Sequence, residues 1–386
     1  MFSVQDPMTL ALADTAARLR DVVSTATRGM VGREQLAELI VLAAVAQEHL
    51  LVIGPPGTAK SAIVRRVAGA LGGRYFEYLL GRFTEPSELF GPVDLRRLRE
   101  GVVETDVTGM LPEADVVFLD EVFLGSTAVL NTLLGILNER RFRRGQTVHD
   151  CPLRVCVGAA NALPDDESLA AFADRFLLHL FVEPVPDNQL EALLRGGWES
   201  ERLPTAPCAD LAQLTVLCDA VATVEMDDAR GALAAALRQL RAAGLGLSDR
   251  RIVKAQRLVA AATVLAGRTR ATEADLWPLF YVMPTRQSQL NAREVLRERL
   301  AVAAHPTLHA AVEQASLQPL SRVSRLIEAA QACLDGGHEP ALKATLAEAL
   351  LREIDANFTA DALPEALAEQ RARLATAVAG VSANPG

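Results

Sequence analysis

Apolar residues recur at helical spacing over residues 8–28, at Leu10, Leu12, Ala16, Leu19, Val22 and Val23, and the pattern breaks at Met30-Val31-Gly32. A second helix is predicted from Glu34 to Gln47. The pattern then changes to five short apolar runs, at 49–53, 75–80, 116–119, 155–158 and 176–182, each closing on a polar or glycine cluster. Runs of this length, spaced by helical segments such as 61–71 and 128–139, are the pattern of buried parallel strands. They predict an α/β, doubly wound domain over residues 1–185 with a parallel five-stranded sheet. The connection from Gly81 to Glu113 is too long for an ordinary loop and is expected to carry its own structure. Pro86 to Leu89 predicts a helical turn there, and Val102 to Thr105 followed by Gly109 a small hairpin. After Pro184 and Pro186 the strand-like runs stop. Helices are predicted at 188–195, 209–221, 227–243, 249–266, 272–281 and 288–302, with more amphipathic helices up to 379 and a frayed end at SANPG. The chain divides on this reading into 1–185, an all-helical unit at 186–290 and a helical extension at 291–386.

Composition narrows the function classes. Of 386 residues half are apolar and only 4% aromatic, a helix-favouring balance, and the formal net charge of −9 argues against a nucleic-acid partner. The five cysteines are odd in number and scattered without a C-x-x-C pair, so neither a disulfide framework nor a zinc site is implied. The six histidines show no paired spacing suited to a metal. The N-terminus has Asp6 and Asp14 and no basic region leading an apolar stretch, and the most apolar segment, Leu36 to Ile53, is interrupted by Glu38, Gln47, Glu48 and His49. A cytoplasmic protein with no membrane span is expected.

Three segments carry chemistry. Gly54-Pro55-Pro56-Gly57-Thr58-Ala59-Lys60-Ser61 follows one predicted strand and opens a helix, the context of a phosphate loop. Backbone N–H groups would cradle phosphates, Lys60 would pair with the β and γ phosphates, and Ser61 would ligate Mg²⁺. Ala59 stands where the pattern has glycine, which is tolerable if its φ is negative. Val116-Val117-Phe118-Leu119-Asp120-Glu121 places two carboxylates at a strand's carboxyl end, where open α/β sheets bind ligands. Asp120 can hold Mg²⁺ through water and Glu121 can polarise an attacking water. Asn161 ends a third strand, where it could bond the γ-phosphate and the lytic water or simply open the loop through Pro164.

With Asp174-Arg175-Phe176 before the last strand and Ser248-Asp249-Arg250-Arg251 opening a later helix, these motifs resemble MoxR-type AAA+ ATPases over about residues 25–290. The closest likeness is to the regulatory ATPase variant A (RavA) branch, on FEYLLGRFTEPSELFGP (76–92), LPEADVVFLDE (111–121), ILNERRFRRG (136–145) and LSDRRIVKA (247–255). That branch also tolerates alanine before the lysine. The resemblance implies a P-loop core with a helix-2 insert after Gly81 facing a ring's pore, followed by an all-α lid. It implies ATP and Mg²⁺ as cofactors, Asn161 as sensor 1 and Arg175 as a finger acting in trans, with Arg140, Arg141, Arg143 and Arg144 as alternative sources. It also implies Arg250 as sensor 2 with Arg251 in reserve, and Val31 and Gly32 beside the adenine. Function follows as a hexameric, chaperone-like ATPase remodelling a protein partner, in many members one with a von Willebrand factor A domain. A nucleic-acid motor and a nucleotide-sensing scaffold with little turnover are the alternatives. The insert's Arg96, Arg97 and Arg99 alternate with Glu85, Glu88, Glu100 and Glu104, which is no clean basic path. A scaffold has no need of Glu121.

Overall fold

The computed structural model describes residues 7–200, 206–316, 319–335, 340–357 and 363–382. Residues 1–6 and, of the SANPG end expected to fray, residues 383–386 lie outside the described residues. Two helices, α1 (Pro7–Thr27) and α2 (Glu34–Ala46), precede β1 (Leu50–Ile53), and α3 (Lys60–Leu71) leads to β2 (Tyr75–Leu79). The long connection holds α4 (Pro86–Phe90) and α5 (Leu95–Arg99) before β3 (Val116–Asp120). Then come α6 (Thr127–Glu139), β4 (Arg141–Arg144), β5 (Thr147–Asp150), β6 (Val155–Ala160), α7 (Glu167–Ala173) and β7 (Leu178–Phe181). The rest is helical: α8 (Leu190–Ser200), α9 (Leu211–Val221), α10 (Asp227–Ala242), α11 (Asp249–Leu265), α12 (Leu279–Val282), α13 (Arg286–Val295), α14 (Arg297–Leu300), α15 (His309–Ser316), α16 (Pro319–Asp335), α17 (Pro340–Asn357) and α18 (Glu365–Ser382).

The five strands predicted from the apolar runs form one parallel sheet in the order β2-β3-β6-β1-β7. Its register pairs Ile53 with Ala160 and with Phe181, and Leu119 with Gly158, so the residues that follow β1, β3 and β6 leave the sheet at one edge. Strand alternation sends Leu50, Val52, Phe118 and Val157 into the core beneath α1, α2 and α3, and Leu51, Ile53, Val117 and Leu119 into a second core with α6, Phe142, Phe172 and Phe176. The apolar segment 36–53 is explained by this burial: every residue of α2 from Leu36 to Ala46 is buried, the one charge among them being Glu38, whose carboxylate accepts from the N–H groups of Ala310 and Ala311. The first core runs on without a break into α9–α13 and α15, whereas α16–α18 pack around their own cluster of Val323, Leu326, Ile354, Leu367 and Leu374. No described helix is long and apolar enough to cross a membrane.

Two local expectations are corrected. Val102 to Thr105 makes no hairpin; a single antiparallel bridge joins Thr105 to Val93. The hairpin is β4–β5, built from the arginine-rich run, where Phe142 is fully buried against Phe90 and Gly145 takes φ +60° at the turn. The continuous helices expected at 272–281 and 288–302 are each interrupted, the first before Pro278 and the second at Leu296.

Candidate functional site

Gly54 begins the loop with its N–H on Ala160 O at 3.0 Å, and a Cβ there would lie 2.3 Å from Val182 O, so only glycine fits between the neighbouring strands. Gly57 has φ +78° and Ala59 φ +59°. The condition for tolerating a methyl group there, a negative φ, is not met: the alanine sits in the left-handed region where glycine is favoured, at roughly 1–2 kcal/mol. The turn is held by Thr58, whose hydroxyl donates to Pro55 O at 2.9 Å and whose carbonyl accepts from Arg33 Nε at 2.8 Å. The backbone N–H groups of residues 57–61 donate to no acceptor among the described residues. They form a cradle of unpaired donors opening α3, which suits a polyphosphate. Lys60 is buried, and its Nζ donates to Gly54 O at 2.8 Å and Pro55 O at 3.0 Å. Burial lowers its pKa, and the carboxylates of Asp120 and Glu121 push the other way, which places both near the ammonium.

Asp120 closes β3, and its Oδ1 accepts from the N–H of Glu121 at 3.0 Å. Glu121 then turns sharply at φ +49°. Because β6 lies between β1 and β3, Asn161 emerges between the loop and the carboxylates, and its Nδ2 donates to Glu121 Oε1 at 2.6 Å. Lys60, Asp120, Glu121 and Asn161 thus meet at the carboxyl edge of the sheet. No group of three or more His, Cys, Asp or Glu that could hold a metal gathers among the described residues. Ser61 and Asp120 are suitable for a Mg²⁺ that takes its other oxygens from phosphate and water.

Arg175, with Arg250 and Arg251 bonded to Asp174, lies at the opposite edge, because residues 174–177 precede β7, which runs parallel to β1. Arg251 is 3% exposed and donates to Asp174 O and Oδ1, Phe176 O, Leu177 O and Val282 O. Every arm of this guanidinium is used in joining α11 to the start of β7. Arg250 reaches Asp174 O at 3.1 Å and Asn138 Oδ1 at 3.0 Å, and its pKa is lowered by burial and by the charge of Arg175. Arg175 has a buried Nε with no hydrogen-bond partner and lines an open cleft of about 580 Å³ with Arg82, Ser126, Asn131 and Asp166. The other arginines considered are engaged within the chain. Arg140 donates to Gln47 O at 2.7 Å; Arg141 pairs with Asp150, Arg143 with Glu139, and Arg144 donates to Gly91 O.

Val31 and Gly32 lie beside the loop, Gly32 at φ +65° with its carbonyl on Arg33 Nη1 at 2.7 Å. Arg33 itself was not singled out from the sequence. It is one arginine in a polar turn, and only the fold brings Thr58 to it.

A family model described as the MoxR domain in the MoxR-vWA-beta-propeller ternary systems matches residues 17–219. Two uncharacterized proteins of Methanocaldococcus jannaschii are 34% and 32% identical over 248 and 247 residues, each 63% of this chain. The chain spans 65% and 64% of those relatives, just under two thirds of their length. Chaperone MoxR1 of Mycobacterium tuberculosis is 27% identical over 191 residues, 48% of this chain and 50% of that one. Among solved structures, a candidate ATPase from Cytophaga hutchinsonii superposes with a TM-score of 0.62 at 14% identity, covering 76% of this chain and 95% of its own, a likeness of fold.

Proposed function

This chain belongs to the MoxR family of AAA+ ATPases, and on that premise we propose that it binds MgATP at the carboxyl edge of the sheet and hydrolyses it to ADP and phosphate to remodel a protein partner. The observation that carries the reading is the 2.6 Å bond from Asn161 to Glu121 beside Lys60 and Asp120. The N–H groups of residues 57–61 bind the phosphates, and Lys60 exchanges its bonds to Gly54 and Pro55 for phosphate oxygens. Ser61 and, through water, Asp120 would hold magnesium, which would supply charge neutralisation to the phosphates. Glu121 polarises the attacking water, and Asn161 fixes which carboxylate oxygen faces it. Val31 and Gly32 border the base.

Arg175 stands just ahead of β7, at the edge opposite the loop, and its unsatisfied Nε favours a role toward a neighbouring subunit. Arg250, next to it on Asp174, belongs to the same edge, and we assign it there as sensor 2. The assembly is then a ring, with six copies as in the family, and the 81–113 insert faces its pore. We assign residues 1–185 to a nucleotide-binding unit, 186–290 to a lid and 291–386 to an extension, and place the chain with the RavA branch of the family. The matched family model is named for systems that pair MoxR with a von Willebrand factor A protein, so the proposed client is a protein carrying that domain, met in the cytoplasm.

The test is steady-state phosphate release by wild type, Lys60→Ala and Glu121→Gln, with candidate clients captured in ATP and in ADP. We expect turnover that both substitutions abolish and capture that depends on the nucleotide. Turnover by Glu121→Gln equal to wild type would leave a binding-only scaffold, and capture indifferent to nucleotide would remove the client.

A further inference from the structure

Arg33 stands in the turn between α1 and α2 and is 7% exposed. Its guanidinium joins three segments far apart in sequence: Nε donates to Thr58 O at 2.8 Å, Nη1 to Gly32 O at 2.7 Å and Nη2 to Glu183 O at 3.1 Å. All three acceptors are uncharged carbonyls. The carboxylate of Glu183 is turned to Arg286 instead, and no ion pair to Arg33 is found among the described residues. Burial draws the Arg33 pKa down, offset in second place only by the adjacent Glu34. A buried cation whose counter-charge is the neighbouring Glu34, with no ion pair formed, is unfavourable, and this one lies close enough to Lys60 to lower that pKa as well. Lys60 has Asp120 and Glu121 as counter-charges; Arg33 has neither. The ligand that would supply the missing negative charge is the one the unpaired N–H groups of residues 57–61 are arranged to hold.

We propose that Arg33 is a positioning residue for the phosphates of the nucleotide, clamping the Thr58–Ala59 peptide and standing as a second fixed cation behind the loop. This rests on the nucleotide-binding reading above. In a trans peptide the N–H points opposite the carbonyl. With Thr58 O drawn to Arg33, the Ala59 N–H is therefore turned away from it, and the left-handed φ of Ala59 is the conformation this clamp sustains. The polyphosphate, rather than the base, is the part of the ligand that Arg33 serves.

The experiment measures binding of a fluorescent ATP analogue to the full chain, and its displacement by tripolyphosphate, for wild type, Arg33→Gln and Arg33→Lys. The melting temperature of each ligand-free protein is recorded beside it. We expect Arg33→Gln to weaken both ligands about tenfold or more, at least about 1.4 kcal/mol, with a ligand-free melting temperature close to wild type, because the lost hydrogen bonds are offset by removal of an uncompensated charge. Arg33→Lys recovers part of the tripolyphosphate affinity and not all, since it keeps the charge without the fork. Tripolyphosphate affinity within twofold of wild type in Arg33→Gln overturns the proposal. So does a loss confined to the ATP analogue, which would place Arg33 at the base. An affinity loss matched by a fall in ligand-free melting temperature, with no recovery by lysine, would reduce Arg33 to a structural tie. Should Arg33→Gln not fold, Arg33→Lys decides alone, and wild-type affinity there overturns the clamp. Failure of wild type to bind the analogue at all would instead sink the nucleotide reading itself.

Discussion

Replacing Arg251 by methionine removes a guanidinium that ties α11 to Asp174, Phe176 and Leu177 ahead of β7 and to Val282 at the end of α12. Hydrogen bonds from a charged donor are worth about 1.5–3 kcal/mol each, and four residues accept from this one. Against that gross loss stands the several kcal/mol recovered by no longer burying the charge. The net is a destabilisation of about 3–5 kcal/mol, the range for removing one side of a buried charged network. The neighbouring Arg250, with its side chain 26% exposed and bonds to Asp174 and Asn138, costs about 1 kcal/mol or less when cut to alanine. Urea unfolding followed by the fluorescence of Trp277, which is buried in the main core, reads both variants. Turnover measured under native conditions completes the contrast: Arg250→Ala stays folded and loses activity tenfold or more, whereas Arg251→Met loses stability first. A loss under about 1 kcal/mol for Arg251→Met, with activity abolished, would refute the reasoning and move Arg251 to the nucleotide.

Other expectations follow from single observations. Ala59→Gly relieves a left-handed alanine and raises stability by roughly 0.5–1 kcal/mol after the flexibility glycine adds to the unfolded chain; a melting temperature lower than wild type would contradict this. Gly54→Ala drives a Cβ onto Val182 O and is expected to abolish binding of a fluorescent ATP analogue, so retained affinity would mean that β7 can move aside. His179 and His305 are fully buried, and burial pulls their pKa values down to about 3 and about 4 from 6.5. The unfolded chain takes up protons at these positions first, so their contribution to stability is complete above pH 6.5 and declines as pH falls toward 4. Urea midpoints across that range check it, and His305→Gln is expected to flatten the slope; an equal slope in that variant would remove His305 from the account.

Strands β1, β3, β6 and β7 were legible because each is a short apolar run largely buried on both faces, and parallel strands of that kind announce themselves by composition, whereas β2, at the edge of the sheet, is only partly buried. The 54–61 loop and the Asp120-Glu121 pair could be placed at the carboxyl edge of the sheet because each sits at the end of such a run. The sign of φ at Ala59 was not legible, since nothing in the sequence records the pull of Arg33 on the preceding carbonyl. The β4–β5 hairpin was hidden because one buried side chain, Phe142, gives too little alternation to stand out from four arginines. Arg250 and Arg251 could not be told apart in sequence. One residue of helix rotates the side chain by about 100°, and that rotation puts Arg251 on the buried face of α11 with Ala255 and Leu258 while Arg250 stays half exposed.

The measurement that bears most directly on the central claim, a site completed between subunits, is turnover in an equal mixture of Lys60→Ala and Arg175→Ala chains. Lys60→Ala keeps an intact arginine and Arg175→Ala an intact phosphate loop, so mixing creates neighbours that together supply both. The account predicts that each variant is inactive alone and that the mixture recovers part of wild-type activity. A mixture as inactive as its components, or an Arg175→Ala chain as active as wild type, would contradict it.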